Sequence, residues 1–167
     1  MTTELPIIID LEASGFGRNS YPIEIGIAMP TGDTKCMLIR PEPDWIHWDK
    51  ESEKLHGLRR EKLLQHGRPV KDVADHINKL LEGQTAYTDG WGVDHSWLSL
   101  LFDRAQRRQR FRLEALQVLL KEQQFDVWDK IKQRIFSESK FPRHRASNDA
   151  HVLQQTYFQT RNITLNY

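Results

Sequence analysis

The chain has 167 residues, enough for one domain with a full core, and its 24 basic and 23 acidic side chains nearly cancel. That balance excludes a protein that holds polyanions by bulk charge, so any nucleic-acid role must be local and site-driven. A single cysteine, Cys36, excludes an intrachain disulfide, and no apolar run approaches the roughly 20 residues that cross a bilayer.

Met1-Thr2-Thr3-Glu4 has no basic segment leading into a long apolar run. The expectation is one domain over residues 1–167, in a reducing, cytoplasmic compartment, without a membrane partner. Pro6 to Leu11 reads as a first strand whose isoleucines are continuous rather than alternating, which predicts burial on both faces. The apolar run ends in Asp10-Leu11-Glu12. Side chains alternate along a strand, so Asp10 and Glu12 point the same way. Like charges this close raise one another's pKa or recruit a cation, and hard oxygen ligands suit Mg²⁺ or Mn²⁺.

Ser14 and Gly15 form the turn out of this strand. Tyr21 to Met29 is the second strand, with Ile23, Ile25 and Ile27 on one face and Glu24 on the other. Lys35 to Ile39 is the third, and the short connections predict an antiparallel meander. Arg40-Pro41-Glu42-Pro43 breaks the pattern, and three short helices follow over Glu51–Leu55, Arg60–His66 and Val70–Leu81, punctuated by Gly57, Gly67 and Pro69. Val73, Ile77, Leu80 and Leu81 keep an amphipathic period in the last of them.

Thr85 to Thr88 is a short buried strand, and Asp94 to Arg107 a helix that turns Trp97, Leu98, Leu101 and Phe102 to the core. Phe111 to Leu120 reads as a short strand passing into helix. Phe125 to Phe136 is a helix through Val127, Trp128, Ile131 and Ile135, with Asp126 as a candidate cap. The last helix, Ser147 to Thr160, carries Asp149 in its first turn, and His144 leads that acid by five residues.

The densest charge run is Arg104, Arg107, Arg108, Arg110 and Arg112. On a continuous helix Arg104, Arg108 and Arg112 share a face that can hold phosphates, the alternative being a solvated helix end. Trp45, Trp48 and Trp91 fall in predicted loops, where a ring can stack on a base, while Trp97 and Trp128 suit the core. His47, His56, His66, His76, His95 and His151 show no metal-ligand spacing and read as surface or packing residues.

In this order and setting Asp10, Glu12, Asp94, His144 and Asp149 resemble the DEDD superfamily of 3′→5′ exonucleases, in its histidine branch, which includes proofreading exonucleases, ribonuclease T and oligoribonuclease. The resemblance covers nearly the whole chain. It runs through Ile9-Asp10-Leu11-Glu12-Ala13-Ser14-Gly15, Ile23-Glu24-Ile25-Gly26, Leu55-His56-Gly57-Leu58, Asp94 with Trp97-Leu98, and His144-x4-Asp149. Gly90 and Val93 stand where the family usually has an asparagine and an aromatic, so Asp89 stays open as an alternative to Asp94. Ser14 replaces a frequent threonine and keeps its hydroxyl.

The resemblance implies an α/β domain of ribonuclease-H-like fold, a mixed central sheet flanked by helices. It implies hydrolysis at a free 3′ end of single-stranded nucleic acid by two ions, Mg²⁺ or Mn²⁺, about 4 Å apart. Asp10 would bridge both ions, Glu12 and Asp149 would complete the shell, and Asp94 would help through water. His144 would act as general base, a role that suits imidazole. Phe16 would meet the terminal nucleotide beside Ser14 and Gly15, with Arg104 and Arg108 on phosphates farther along. The rival reading is a non-catalytic nucleic-acid-binding or scaffolding module on the same fold. DNA or RNA as substrate stays open, as does assembly, with a homodimer one possibility.

Overall fold

The computed structural model describes residues 4–162, so Met1, Thr2 and Thr3 of the N-terminal stretch read above lie outside it. Three strands open the chain, β1 (Ile7–Ala13), β2 (Pro22–Ala28) and β3 (Thr34–Leu38), each antiparallel to the next. Helices α1 (Lys50–His56), α2 (Arg60–His66) and α3 (Val70–Leu81) lead to β4 (Thr85–Thr88), which lies parallel to β1. Helix α4 (Trp91–Arg104) crosses to β5 (Arg112–Ala115), parallel to β4, and a 3₁₀ turn (Leu116–Leu119) precedes α5 (Glu122–Ser139) and α6 (Ala146–Thr160). The sheet order is β3-β2-β1-β4-β5, a mixed sheet as the resemblance implied, with the antiparallel meander at one side.

One sheet face presents Ile9, Leu11, Ile23 and Ile25 to a core closed by Ile77 of α3 and Leu98 and Leu101 of α4. The opposite face sets Ile8 and Ala28 against Trp128 of α5 and Ala150 and Leu153 of α6. Cover on both sides is why β1 reads as unbroken isoleucine, each such side chain contributing about 1.5–3 kcal/mol on burial. Helix α6 reaches the sheet at Gly26, where a Cβ would lie 2.1 Å from the backbone of Ala146 and Ser147. Only glycine permits that approach. Gly26 is the register partner of Asp10, so the first turn of α6 settles beside the acidic end of β1.

Several sequence expectations are corrected. Helix α4 begins at Trp91, which places Asp94 in its first turn rather than at its start. It ends at Arg104; Gln106 has φ 52 and Arg112 opens β5, so Arg104, Arg108 and Arg112 do not share a helical face. Asp126 does not cap α5, which begins at Glu122; the Gln124 side chain instead accepts from the Lys121 N–H at 3.0 Å. Trp45 is buried and stacks on Tyr21 with ring centroids 5.0 Å apart, so it is not a free loop aromatic. Among the described residues no helix is long and apolar enough to cross a membrane.

Candidate active site

Glu12 pairs directly with Glu24 across β1 and β2, so the two carboxylates share a face with Asp10, the face that α6 covers. Glu24 is fully buried, and Arg145 neutralises it through Nη2 at 2.7 Å and Nε at 3.1 Å while the Ala146 N–H adds a bond at 3.1 Å. Burial alone would push the Glu24 carboxyl up; these bonds overcome it and hold the group below the usual range. The ion pair also fastens the turn ahead of α6 to the sheet. That turn carries His144 at φ 58, a left-handed conformation that costs a non-glycine residue about 1–2 kcal/mol and persists because its neighbours are fixed.

With the turn fastened, one oxygen each of Glu12 and Asp149 and a ring nitrogen of His144 lie within 4.8 Å of one another. Asp94 enters from the opposite layer, buried in the first turn of α4 and accepting a hydrogen bond from the Thr88 hydroxyl. Asp10, Glu12, Asp94, His144 and Asp149 thus line one open cleft of about 640 Å³ at the C-terminal ends of parallel β1 and β4.

Burial dominates the electrostatics of this cleft. It pushes Asp10 well above the ordinary carboxyl range, with the charges of Asp94, Glu12, Asp149 and Glu24 adding to it. Glu12 is pushed up to about 8 by burial and then by Asp149 and Glu24. Burial lifts Asp94 to about 7, against the pull of the Thr88 hydrogen bond, and Asp149 to about 6, against the charge and backbone N–H of His144. Carboxyls that resist ionisation together are relieved by a cation. The buried Asp10 Oδ2 and Asp149 Oδ1 have no hydrogen-bond partner, as oxygens reserved for a cation would. The donor set therefore fits hard divalent ions.

Phe16 stands 71% exposed at the cleft mouth, its ring 6.1 Å from that of Trp97 beneath it. Gly15 supports that position at φ 153, where a Cβ would sit 2.7 Å from Asp49 and 2.8 Å from His47. The far wall is a face of α5, formed by Asp129, Lys132, Gln133 and Phe136 at helical spacing. Lys132 reaches Asp89 at 3.5 Å, and the Arg143 guanidinium lies 4.7 Å over the Phe136 ring.

No protein-family model matches the chain, and no curated protein matches it in sequence. Solved structures do match in shape. E. coli exonuclease I in complex with a dA16 oligonucleotide superposes with a TM-score of 0.71 at 11% identity, over 96% of this chain and 42% of that one. The zinc-ion-bound form of an E. coli exonuclease I–ssDNA complex gives a TM-score of 0.65 at 11% identity, over 95% and 41%. A moderately thermophilic exonuclease I from Methylocaldum szegediense gives 0.63 at 10% identity, over 93% and 42%. The fold is ribonuclease-H-like. The chain spans less than half the length of these exonucleases, and at such identities the likeness speaks for the fold.

On this ribonuclease-H-like frame the sequence-predicted residues separate into two groups. Asp10, Glu12, Asp94, His144, Asp149, Gly15 and Phe16 line the cleft. Asp89, the alternative to Asp94, also lines it, but its carboxyl accepts from Gln117 at 2.9 Å and pairs with Lys132 at 3.5 Å. Ser14 is fully buried behind the wall, its hydroxyl accepting from the Tyr21 N–H at 3.1 Å and meeting His47 Nδ1 at 2.9 Å. It holds the turn and does not face the cleft.

Arg104 and Arg108 lie outside the cleft, Arg104 at the other end of a helix some 20 Å long and Arg108 past it. Arg104 makes a bidentate pair with Asp44, at 2.7 Å through Nη1, and neighbouring Arg107 and Arg110 pair with Asp75 and Glu82. Sequence reasoning missed His56. It is buried in the cleft wall, its Nδ1 accepts from the Leu58 N–H at 3.0 Å, and its Nε2 has no partner. That bond puts the neutral ring's proton on Nε2, and burial depresses the ring's pKa. The Leu55-His56-Gly57-Leu58 step was its signal. Lys132 and Arg143 were also missed; the i, i+3, i+4, i+7 spacing from Asp129 to Phe136 carried that face.

Proposed function

We propose that this chain is a metal-dependent exonuclease that removes nucleotides from the 3′ end of single-stranded nucleic acid. The observation that carries the reading is the convergence of four carboxyls from β1, α4 and α6 and a histidine from the turn before α6 in one open cleft, two of the carboxyls with buried, unpartnered oxygens. Asp10, Glu12 and Asp149 would hold the ions, with Asp94 closing the cluster from α4. Divalent ions bound there supply neutralisation of the phosphate and activation of the attacking water.

The protein's own groups do the rest. His144, exposed at the rim and set on an anchored turn, accepts the proton of the attacking water. Phe16 offers its face to the terminal base. Lys132 and Arg143, the cations of the far wall, steer phosphates in place of Arg104 and Arg108.

The test uses DNA and RNA oligonucleotides labelled at the 5′ end, with Mg²⁺ or Mn²⁺. A ladder shortening from the 3′ end, abolished in Asp10→Asn with the fold retained, is the expected result. A wild-type protein that binds these strands and cleaves none of them in either metal is instead the non-catalytic binding module. His144→Ala should lose roughly 10²–10⁴-fold in single-turnover rate, the usual range for a positioned base.

A further inference from the structure

We infer that Asp89 is a built-in brake on strand binding: its carboxylate, fixed beside Lys132, opposes any phosphate that settles on that lysine, so a strand lets go soon after a cut. The binding half stands on charge and geometry; the consequence for cleavage rests on the exonuclease reading above. Asp89 lies in the loop between β4 and α4 and lines the cleft where that loop meets α5. Its Oδ2 faces Lys132 Nζ at 3.5 Å, and Asp129, one turn back on α5, stands 3.7 Å from the same ammonium. Both separations exceed the roughly 2.7–2.9 Å of a strong charge-assisted bond. Two negative charges thus face one positive charge, and neither holds it tightly.

The two carboxylates respond differently to an arriving phosphate. The Asp129 side chain is 83% exposed and can swing into water. Asp89 cannot leave, because Gln117 Nε2 donates to its Oδ1 at 2.9 Å and to its backbone carbonyl at 3.4 Å. Gln117 belongs to the 3₁₀ turn whose neighbouring Leu116 is fully buried in one apolar cluster with Trp128 of α5, so the clamp rests on the core. The Lys132 side chain is largely buried, which keeps its ammonium near Asp89. A phosphate on Lys132 therefore sits beside a like charge that does not move.

The consequence is kinetic. Differences in affinity at one site fall mostly on the rate of leaving, so a fixed repulsion shortens the time a strand stays. A strand that leaves sooner loses fewer nucleotides per encounter and returns to solution between cuts. Asp89 thereby favours distributive over processive shortening.

The test measures binding of fluorescein-labelled DNA and RNA oligonucleotides in a metal chelator, by anisotropy for affinity and by dilution into unlabelled strand for dissociation. Wild type is compared with Asp89→Asn, whose amide oxygen still accepts from Gln117, with Asp89→Glu, with Asp129→Asn, and with Lys132→Ala alone and combined with Asp89→Asn. Asp89→Asn should bind roughly two- to tenfold tighter, dissociate more slowly and steepen the salt dependence by up to about one unit of slope. Asp89→Glu, which keeps the charge, and Asp129→Asn should each stay within about twofold of wild type. Most of the gain should vanish in the Lys132→Ala background, the coupling that a double-mutant cycle isolates. With Mg²⁺ and an unlabelled trap added at the start, Asp89→Asn should remove more nucleotides per encounter than wild type. An Asp89→Asn affinity at or below that of wild type overturns the brake, as does a gain of the same size without Lys132. Tighter binding with no more nucleotides removed per encounter overturns its consequence for cleavage. A protein whose Asp89→Asn variant binds tighter through Lys132, but which cleaves nothing in Mg²⁺ or Mn²⁺, keeps the brake on binding and refutes the exonuclease reading instead.

Discussion

Replacing Asp94 by asparagine should stabilise the metal-free protein at pH 8 and do almost nothing near pH 4. Asp94 is 5% exposed and its carboxyl is lifted from 3.8 to about 7, first by burial and then by the charge of Asp89. A folded-state value above the unfolded one means that folding is favoured while the group is protonated. The stability it contributes is fully present below about pH 4 and is lost as pH rises through about 7. At 1.36 kcal/mol per unit, the roughly three units correspond to about 4 kcal/mol at most, and relaxation around the site brings the expectation to about 2–4 kcal/mol. Asparagine keeps an oxygen for the Thr88 hydroxyl and removes only the charge.

For a chain of this length that gain raises Tm by roughly 5–15 °C. The assay is thermal and urea denaturation of wild type and Asp94→Asn in a metal chelator from pH 4 to 8. Added Mg²⁺ or Mn²⁺ should reverse the order, because the wild type gains a ligand that the variant lacks. If Asp94→Asn is no more stable at pH 8, or if its advantage does not shrink toward pH 4, Asp94 is not held against its own ionisation and the cleft is not a cation cradle.

Three further outcomes follow from the same geometry. Metal binding at pH 7 should release protons, because Glu12 at about 8 is protonated and Asp94 at about 7 is half so before the ion arrives; calorimetry in buffers of different ionisation enthalpy reads that release, and a buffer-independent enthalpy counts against it. Glu24→Gln should cost about 3–5 kcal/mol, since it leaves the Arg145 guanidinium facing a neutral, fully buried partner and loosens the turn under His144; a loss below about 1 kcal/mol by urea denaturation would show that the pair does not anchor that turn. Lys132→Ala and Arg143→Ala should each flatten the salt dependence of oligonucleotide binding by about one unit of slope, whereas Arg104→Ala should leave it unchanged, and the reverse pattern would restore the Arg104 run as the phosphate track.

Local pattern was enough wherever a segment's own residues set its conformation. Val70–Leu81 carries an amphipathic period between Pro69 and Gly83, and Thr85–Thr88 is a short run rich in β-branched and aromatic side chains between turns, so both appear at the residues expected. The acids of β1, Asp149 five residues after His144, and Asp94 near the start of a helix were legible for the same reason, as was the meander that begins the sheet. Tertiary structure decided what those patterns could not. The arginine run read as one face until the helix ended at Arg104 and carboxylates from distant segments took Arg104, Arg107 and Arg110. Trp45 became core because Tyr21 lay beneath it, and Ser14 turned inward to His47 and Tyr21. His56 entered the cleft wall through the packing of α1, and Lys132 and Arg143 through the placement of α5 and the turn before α6. Side-chain periodicity is a property of neighbours along the chain, whereas burial, charge pairing and which face meets a cleft depend on contacts between residues far apart in sequence. A sequence therefore shows that a carboxyl or a cation is present, and only the assembled fold determines which partner claims it.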